Sequence, residues 1–175
     1  MNQIALKLIT IGDGGVGKTT LLHRYTSGNF IDTTTMTIGV EFLVKEIKIG
    51  DTLCQLNLWD ISGQERFFFM VDKYMRGASG ALLLFDITSM RSFVNLGKWV
   101  KIVRENNSLE NKIPILLIAS KCDLEEFSMV GDILAKKAQE KMGLVDYVKT
   151  SSKIGLNVDL SIETLVKHIL KVKEP

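Results

Sequence analysis

The chain has 175 residues, 46% of them apolar, with 22 basic against 20 acidic side chains and a net charge of +2. That length fits one domain, 1–175, with a sizeable core, and the near-balanced charge without a long basic run excludes nucleic-acid binding driven by a positive field. Two cysteines at no metal-ligand spacing, Cys54 and Cys122, favour a reducing, cytoplasmic compartment, and no apolar stretch approaches the length of a membrane span.

The first element is an apolar run, Ile4 to Ile11, that predicts a strand and leaves no room for a signal peptide. Gly12 to Thr19 follow as Gly-Asp-Gly-Gly-Val-Gly-Lys-Thr, and then Leu21, Leu22 and Tyr25 recur at helical spacing. Strand, glycine-rich loop ending in Gly-Lys-Thr, then helix is the arrangement that cradles a polyphosphate. Glycines let backbone N–H groups turn inward, and the helix start adds its positive dipole end. In such a loop Lys18 reaches the β- and γ-phosphates and Thr19 places its hydroxyl on a magnesium ion.

Val40 to Ile49 and Leu53 to Asp60 predict two strands of a hairpin turning at Gly50-Asp51. Ala81 to Phe85 and Ile113 to Ala119 are continuous apolar runs, which suit parallel strands covered on both faces. Pro114 sits near the start of the second, where a missing N–H is tolerated. Phe93, Leu96, Val100 and Val103 form one helical stripe, with Ser89 as N-cap. A helix over about Val130 to Met142 is closed by Gly143, and Val145 to Val148 is a short strand. Ile162, Leu165, Val166, Ile169 and Leu170 mark a last helix, with Asn157 as N-cap.

This alternation predicts a doubly wound α/β sheet, in which ligands bind beyond the carboxyl ends of the strands. The polar signals fall there. Gly12 to Thr19 follow the first strand, Asp60 ends the third, Ser120 to Asp123 follow Ala119, and Ser151 to Lys153 follow Val148.

With those residues in place, the chain resembles the Ras-superfamily small GTPases, and among them the Rab branch, from Ile4 to about Leu170. Thr37-Ile-Gly-Val-Glu-Phe42 looks like the end of switch I, and Leu58-Trp-Asp-Ile-Ser-Gly-Gln-Glu-Arg-Phe67 like the Walker B aspartate and switch II. Tyr74 to Ala78 and Leu84 to Thr88 are Rab-like in particular. The resemblance implies a P-loop small G domain: a six-stranded, mostly parallel sheet with one antiparallel strand and helices on both faces.

It also implies a role for each matching residue. The loop Asp13, Gly14, Gly15, Val16 and Gly17, with Lys18, Thr19 and Thr20, would wrap the phosphates of GTP or GDP. Thr19, Thr37 and Asp60 would hold Mg2+, Asp60 through a water. The register of Ile38-Gly39 selects Thr37 from the threonine run Thr33, Thr34, Thr35. Thr37 and Gly63 would bond the γ-phosphate through their N–H groups, Gln64 would orient the attacking water, and Lys18 would neutralise charge. Phe30 would pack against the base. Asp123 would accept the guanine N1 and N2 hydrogens, which adenine does not offer. Lys121 would lie over base and ribose, and Ser151, Ser152 and Lys153 would line the base.

Hydrolysis is then expected to be slow without an activating protein, since no arginine sits where it could act in cis. Effectors, an exchange factor and an activating protein would meet switch I and II at the aromatic triad Phe42, Trp59 and Tyr74. Three consecutive phenylalanines, Phe67, Phe68 and Phe69, cannot all face one core, so at least one is expected on a partner surface. A monomer is expected.

Three departures stand out. The guanine motif reads Ser120-Lys121-Cys122-Asp123, with serine in place of the family's asparagine. Serine keeps a hydroxyl but loses both the reach that braces the loop and the amide donors, which predicts faster GDP release. Ser62 adds a hydroxyl near the expected γ-phosphate and puts hydrolysis in question. Asn2 excludes myristoylation and Lys171 to Pro175 hold no cysteine, so no lipid anchor is expected in this chain, and membrane association only through a missing tail or partners. The expected function is a Rab-like, GTP-hydrolysing switch of vesicle or membrane trafficking or a related process. A nucleotide-locked scaffold is the alternative, and a P-loop kinase, for which no arginine-rich lid is visible, a third.

Overall fold

The computed structural model describes residues 2–32, 35–107 and 112–173. Thr33 and Thr34 of the threonine run, and the last two residues of the chain, lie outside the described residues. Six strands form one sheet: β1 (Asn2–Ile11), β2 (Val40–Ile49), β3 (Thr52–Ile61), β4 (Gly80–Asp86), β5 (Ile115–Ser120) and β6 (Asp146–Lys149). Their order is β2-β3-β1-β4-β5-β6, antiparallel between β2 and β3 and parallel elsewhere. The helices are α1 (Lys18–Ser27), α2 (Phe68–Met75), α3 (Met90–Val94), α4 (Leu96–Asn106), α5 (Asp132–Lys141) and α6 (Val158–Lys173).

Alternate residues of the central strands feed two cores. Leu6, Leu8, Leu56, Leu58, Leu82 and Leu84 pack against α1 and α6. Ile9, Ile11, Leu83, Phe85 and Leu117 pack against α2, α4 and α5. Both faces of the inner strands are buried, as their unbroken apolar runs require.

Three local expectations shift. β5 starts at Ile115 rather than Ile113, because Pro114 has no N–H for the ladder and offers only its carbonyl, to the Ala81 N–H at 3.0 Å. The single stripe from Phe93 to Val103 is two helices meeting at Asn95, whose side chain turns into the glycine-rich loop. Trp99, outside that stripe, is the largest fully buried side chain. Ser89 caps α3 by accepting from the Ser92 N–H at 3.3 Å. Asn157 precedes α6 as expected, its carbonyl accepting from the Ser161 N–H at 3.0 Å, but its side-chain amide turns to β6. Its φ is +54°, and its amide donates to the Lys149 carbonyl at 2.9 Å, tying the helix entry to β6.

Candidate nucleotide and magnesium site

The loop between β1 and α1 is held by close backbone packing. Gly12 has φ +138°, and a Cβ there would lie 2.4 Å from the Leu84 carbonyl oxygen. From the opposite side Gly63 presses on the loop: a Cβ on it would sit 2.4 Å from Gly12 O, the Asp13 carbonyl carbon and Gly14 N. Only glycine allows that approach.

Lys18 opens α1 and is only 5% exposed. Its ammonium donates to the Gly12 and Asp13 carbonyls at 2.9 and 2.8 Å. Burial lowers its pKa to about 8, against the opposing pull of Asp60 and Asp13. A buried ammonium whose hydrogen bonds among the described residues go to backbone carbonyls is poised for an anion.

Three oxygen side chains meet beside it. Asp60, fully buried at the end of β3, accepts from the Thr19 hydroxyl through Oδ2. The Thr37 hydroxyl lies 2.5 Å from that of Thr19 and 3.4 Å from Asp60 Oδ2. Two hydroxyls and one carboxylate, with no nitrogen or sulfur, suit a hard cation such as magnesium.

The two segments expected as switches are linked. The Ser62 N–H donates to the Gly39 carbonyl at 2.9 Å, and the Gln64 amide donates to the Thr37 carbonyl at 3.0 Å. The Ser62 hydroxyl accepts from the Gln64 N–H at 3.3 Å.

At the other end, Ser120 Oγ lies 2.5 Å from the Val16 carbonyl and 2.9 Å from that of Phe85. The expected loss of reach is therefore corrected. The register Asp86↔Ser120 brings the strand end close enough for a short side chain to brace the loop. What serine lacks is donors, since one hydroxyl proton cannot satisfy both carbonyls. Ser120→Asn is accordingly expected to slow GDP release by about two- to tenfold, the worth of one net hydrogen bond, as followed with a fluorescent GDP analogue.

Lys121 is held in left-handed backbone at φ +62°; its ammonium donates to the Gly15 carbonyl at 2.8 Å and pairs with Asp86 at 2.7 Å. Asp123 accepts from the buried Ser151 hydroxyl at 2.6 Å. Lys121 and Asp123 line a cavity of about 410 Å³ with Gly14, Gly15, Gly17, Lys18, Thr19, Thr20, Phe30, Thr37, Gly63, Gln64, Ser120, Ser152 and Lys153. That volume falls within the range of ligand sites, about 300–1,000 Å³.

Four of the expected residues stand behind the cavity wall. Val16 is buried under the loop, Asp60 lies beneath the two threonines, and Ser151 supports Asp123. Asp13 faces away from the cavity, accepting from Asn95 Nδ2 at 2.6 Å and Trp99 Nε1 at 2.9 Å. It anchors the loop to α4, and no local pattern signals that pairing. Met36 was also not anticipated: it lines the cavity, and a Cβ on Gly14 would meet its methyl at 2.4 Å.

The sequence profile of the Ras family matches residues 7–171. The chain belongs to the Ras family. Similar proteins include "Ras-related protein Rab-13" of Bos taurus, 39% identical over 94% of this chain and 79% of that one. "Ras-related protein Rab-27B" of Rattus norvegicus is 39% identical over 97% and 81%. "Ras-related protein RABG3f" of Arabidopsis thaliana is 36% identical over 97% and 84%. The protein is thus a small GTPase, a GTP hydrolase with a Ras-like P-loop domain.

On the outer surface of this Ras-family domain the aromatic triad forms a row. Phe42 and Trp59 have ring centroids 4.9 Å apart, and Trp59 and Tyr74 5.5 Å. The three phenylalanines divide. Phe68 packs edge-on against Trp99 at 5.2 Å, Phe67 lies under Arg66 at 4.8 Å, and Phe69 is 80% exposed. Among the described residues no helix is long and apolar enough to cross a membrane.

Proposed function

We propose that this small GTPase is a Rab-like switch that binds GTP and GDP with magnesium, hydrolyses GTP slowly and signals through switch I and II in vesicle or membrane trafficking. The observation that carries the reading is the meeting of Thr37 and Gln64 with Thr19 and Asp60, 2.5 Å separating the two threonine hydroxyls. Segments far apart in the chain converge where a γ-phosphate would lie, so occupancy of that position can order both.

In this mechanism the loop N–H groups and Lys18 bind the polyphosphate and hold its charge. Thr19, Thr37 and Asp60 would hold magnesium, which when bound neutralises charge on the β- and γ-phosphate oxygens. Gly63 gives its N–H to the γ-phosphate, and Gln64 orients water for in-line attack. Asp123 selects guanine, with Lys121, Phe30, Ser152 and Lys153 around the base and ribose and Ser151 behind the carboxylate. No side chain forms a covalent intermediate. An arginine from an activating protein adds roughly 10³–10⁵-fold in enzymes of this class. The row Phe42, Trp59, Tyr74, with exposed Phe69, is the surface offered to effectors, an exchange factor and an activating protein.

One observation favours the rival scaffold reading: the Gln64 amide is spent on the Thr37 carbonyl. Single-turnover hydrolysis of bound GTP discriminates. For a switch, Gln64→Leu lowers the rate by about tenfold or more, because water positioning is lost. Wild-type turnover no faster than that of the variant and of free GTP would establish the scaffold.

A further inference from the structure

On the face of β1 that packs against α1 and α6, Leu6 and Leu8 are followed by Thr10, which is 1% exposed. The parallel neighbour β3 sets Leu6 beside Leu56, Leu8 beside Leu58 and Thr10 beside Asp60. Two apolar pairs are thus followed by a hydroxyl beside a carboxylate.

Thr10 Oγ1 lies 3.1 Å from Asp60 Oδ1 and 3.4 Å from the Trp59 carbonyl. It has one proton, and the nearer, ionisable acceptor is the better partner. Packing alone would be met by valine, which has the same shape. Burying a hydroxyl in a strand interior costs free energy unless it is bonded. The two oxygens of Asp60 are therefore divided: Oδ1 is tied to Thr10, and Oδ2 faces Thr19 and Thr37.

We propose that Thr10 is a positioning residue for the magnesium site: its hydroxyl anchors Asp60 Oδ1 and so presents Oδ2 to the space beside Thr19 and Thr37. This rests on the magnesium–nucleotide reading above. A carboxylate free at both oxygens rotates and must be ordered each time the ion binds, whereas one already pinned is preorganised. Partners of this kind alter metal affinity by about 10–100-fold.

The test follows release of a fluorescent GDP analogue from wild type, Thr10→Val, Thr10→Ala and Thr10→Ser over a range of free Mg2+. In the valine and alanine variants the Mg2+ concentration that half-suppresses release rises about tenfold, while serine, which keeps the donor, stays near wild type. At saturating Mg2+, and in EDTA, all four release GDP at similar rates. An unchanged Mg2+ midpoint in both variants would overturn the proposal. Faster release by one factor at every Mg2+ concentration, EDTA included, would also overturn it, as that marks a packing defect. Wild-type release indifferent to Mg2+ would overturn the magnesium reading itself, and the proposal with it.

Discussion

Asp123→Ala is expected to lower GDP affinity by about 10²–10⁴-fold and to erase the preference for guanine over adenine. Two hydrogen bonds to a charged acceptor are lost, each worth about 1.5–3 kcal/mol, and each 1.4 kcal/mol is a factor of ten. The carboxylate stands on the 3-10 turn Cys122–Phe127 just beyond β5. It is held there by the Ser151 hydroxyl at 2.6 Å and by the Cys122 N–H bond to the Thr150 carbonyl at 3.0 Å. Asp123 is itself half-exposed, so its removal leaves only the buried Ser151 hydroxyl without an acceptor, costing about 1–3 kcal/mol of stability. Affinity should therefore fall far more than the fold weakens. Displacement of a fluorescent GDP analogue by GTP and by ATP measures both effects. Wild-type affinity in the variant would remove Asp123 from the base-reading role, and equal displacement of wild-type GDP by GTP and by ATP would show that the site does not select guanine.

Lys18→Met is expected to act in opposite directions on binding and on stability. GDP affinity should fall by roughly 10³-fold, since a buried ammonium facing polyphosphate is lost. The nucleotide-free protein should become more stable at neutral pH. Burial lowers the Lys18 pKa from 10.5 to about 8, so folding works against the charged form. The sign follows from proton counting. Between pH 8 and 10.5 the unfolded chain holds a proton that the folded protein has released, so stability rises with pH across that window. Below it the full penalty applies. Methionine removes the penalty, but the Gly12 and Asp13 carbonyls lose their donor, so the net gain is about 1–3 kcal/mol, or roughly 2–10 °C in melting temperature. Melting of nucleotide-stripped protein from pH 7 to 10 would check it. The two curves should converge as pH rises, and a variant that is less stable at pH 7 would contradict the account. Such a group trades stability for function.

The strands and the loop were legible because their signals are local. A glycine-rich loop between an apolar run and a helical stripe admits few other conformations. Parallel strands covered on both faces must be continuously apolar. Because each polar motif ends a strand, a parallel sheet gathers those motifs at one edge, which is why Gly12 to Thr19, Asp60, Ser120 to Asp123 and Ser151 to Lys153 share a region.

Sequence was less informative where identity does not fix direction. Phe67, Phe68 and Phe69 have no internal period, and only the start of α2 at Phe68 turns one ring to Trp99 and the next to solvent. Ser120 looked too short for its task because its distance from Val16, 104 positions earlier, depends on the register of β4 and β5.

Family, fold class and the residues of the phosphate loop were thus decided in the primary structure, where neighbouring side chains set backbone conformation and periodicity. Packing alone decided that Asp13 turns from the cavity to Asn95 and Trp99, that Ser120 reaches Val16, and that Thr10 finds Asp60. Each of those bonds joins residues at least 50 positions apart. Local preference cannot encode such partners. They are chosen when strands settle into register and helices close over the sheet, since a buried polar atom must then bond to whatever the fold has brought within reach.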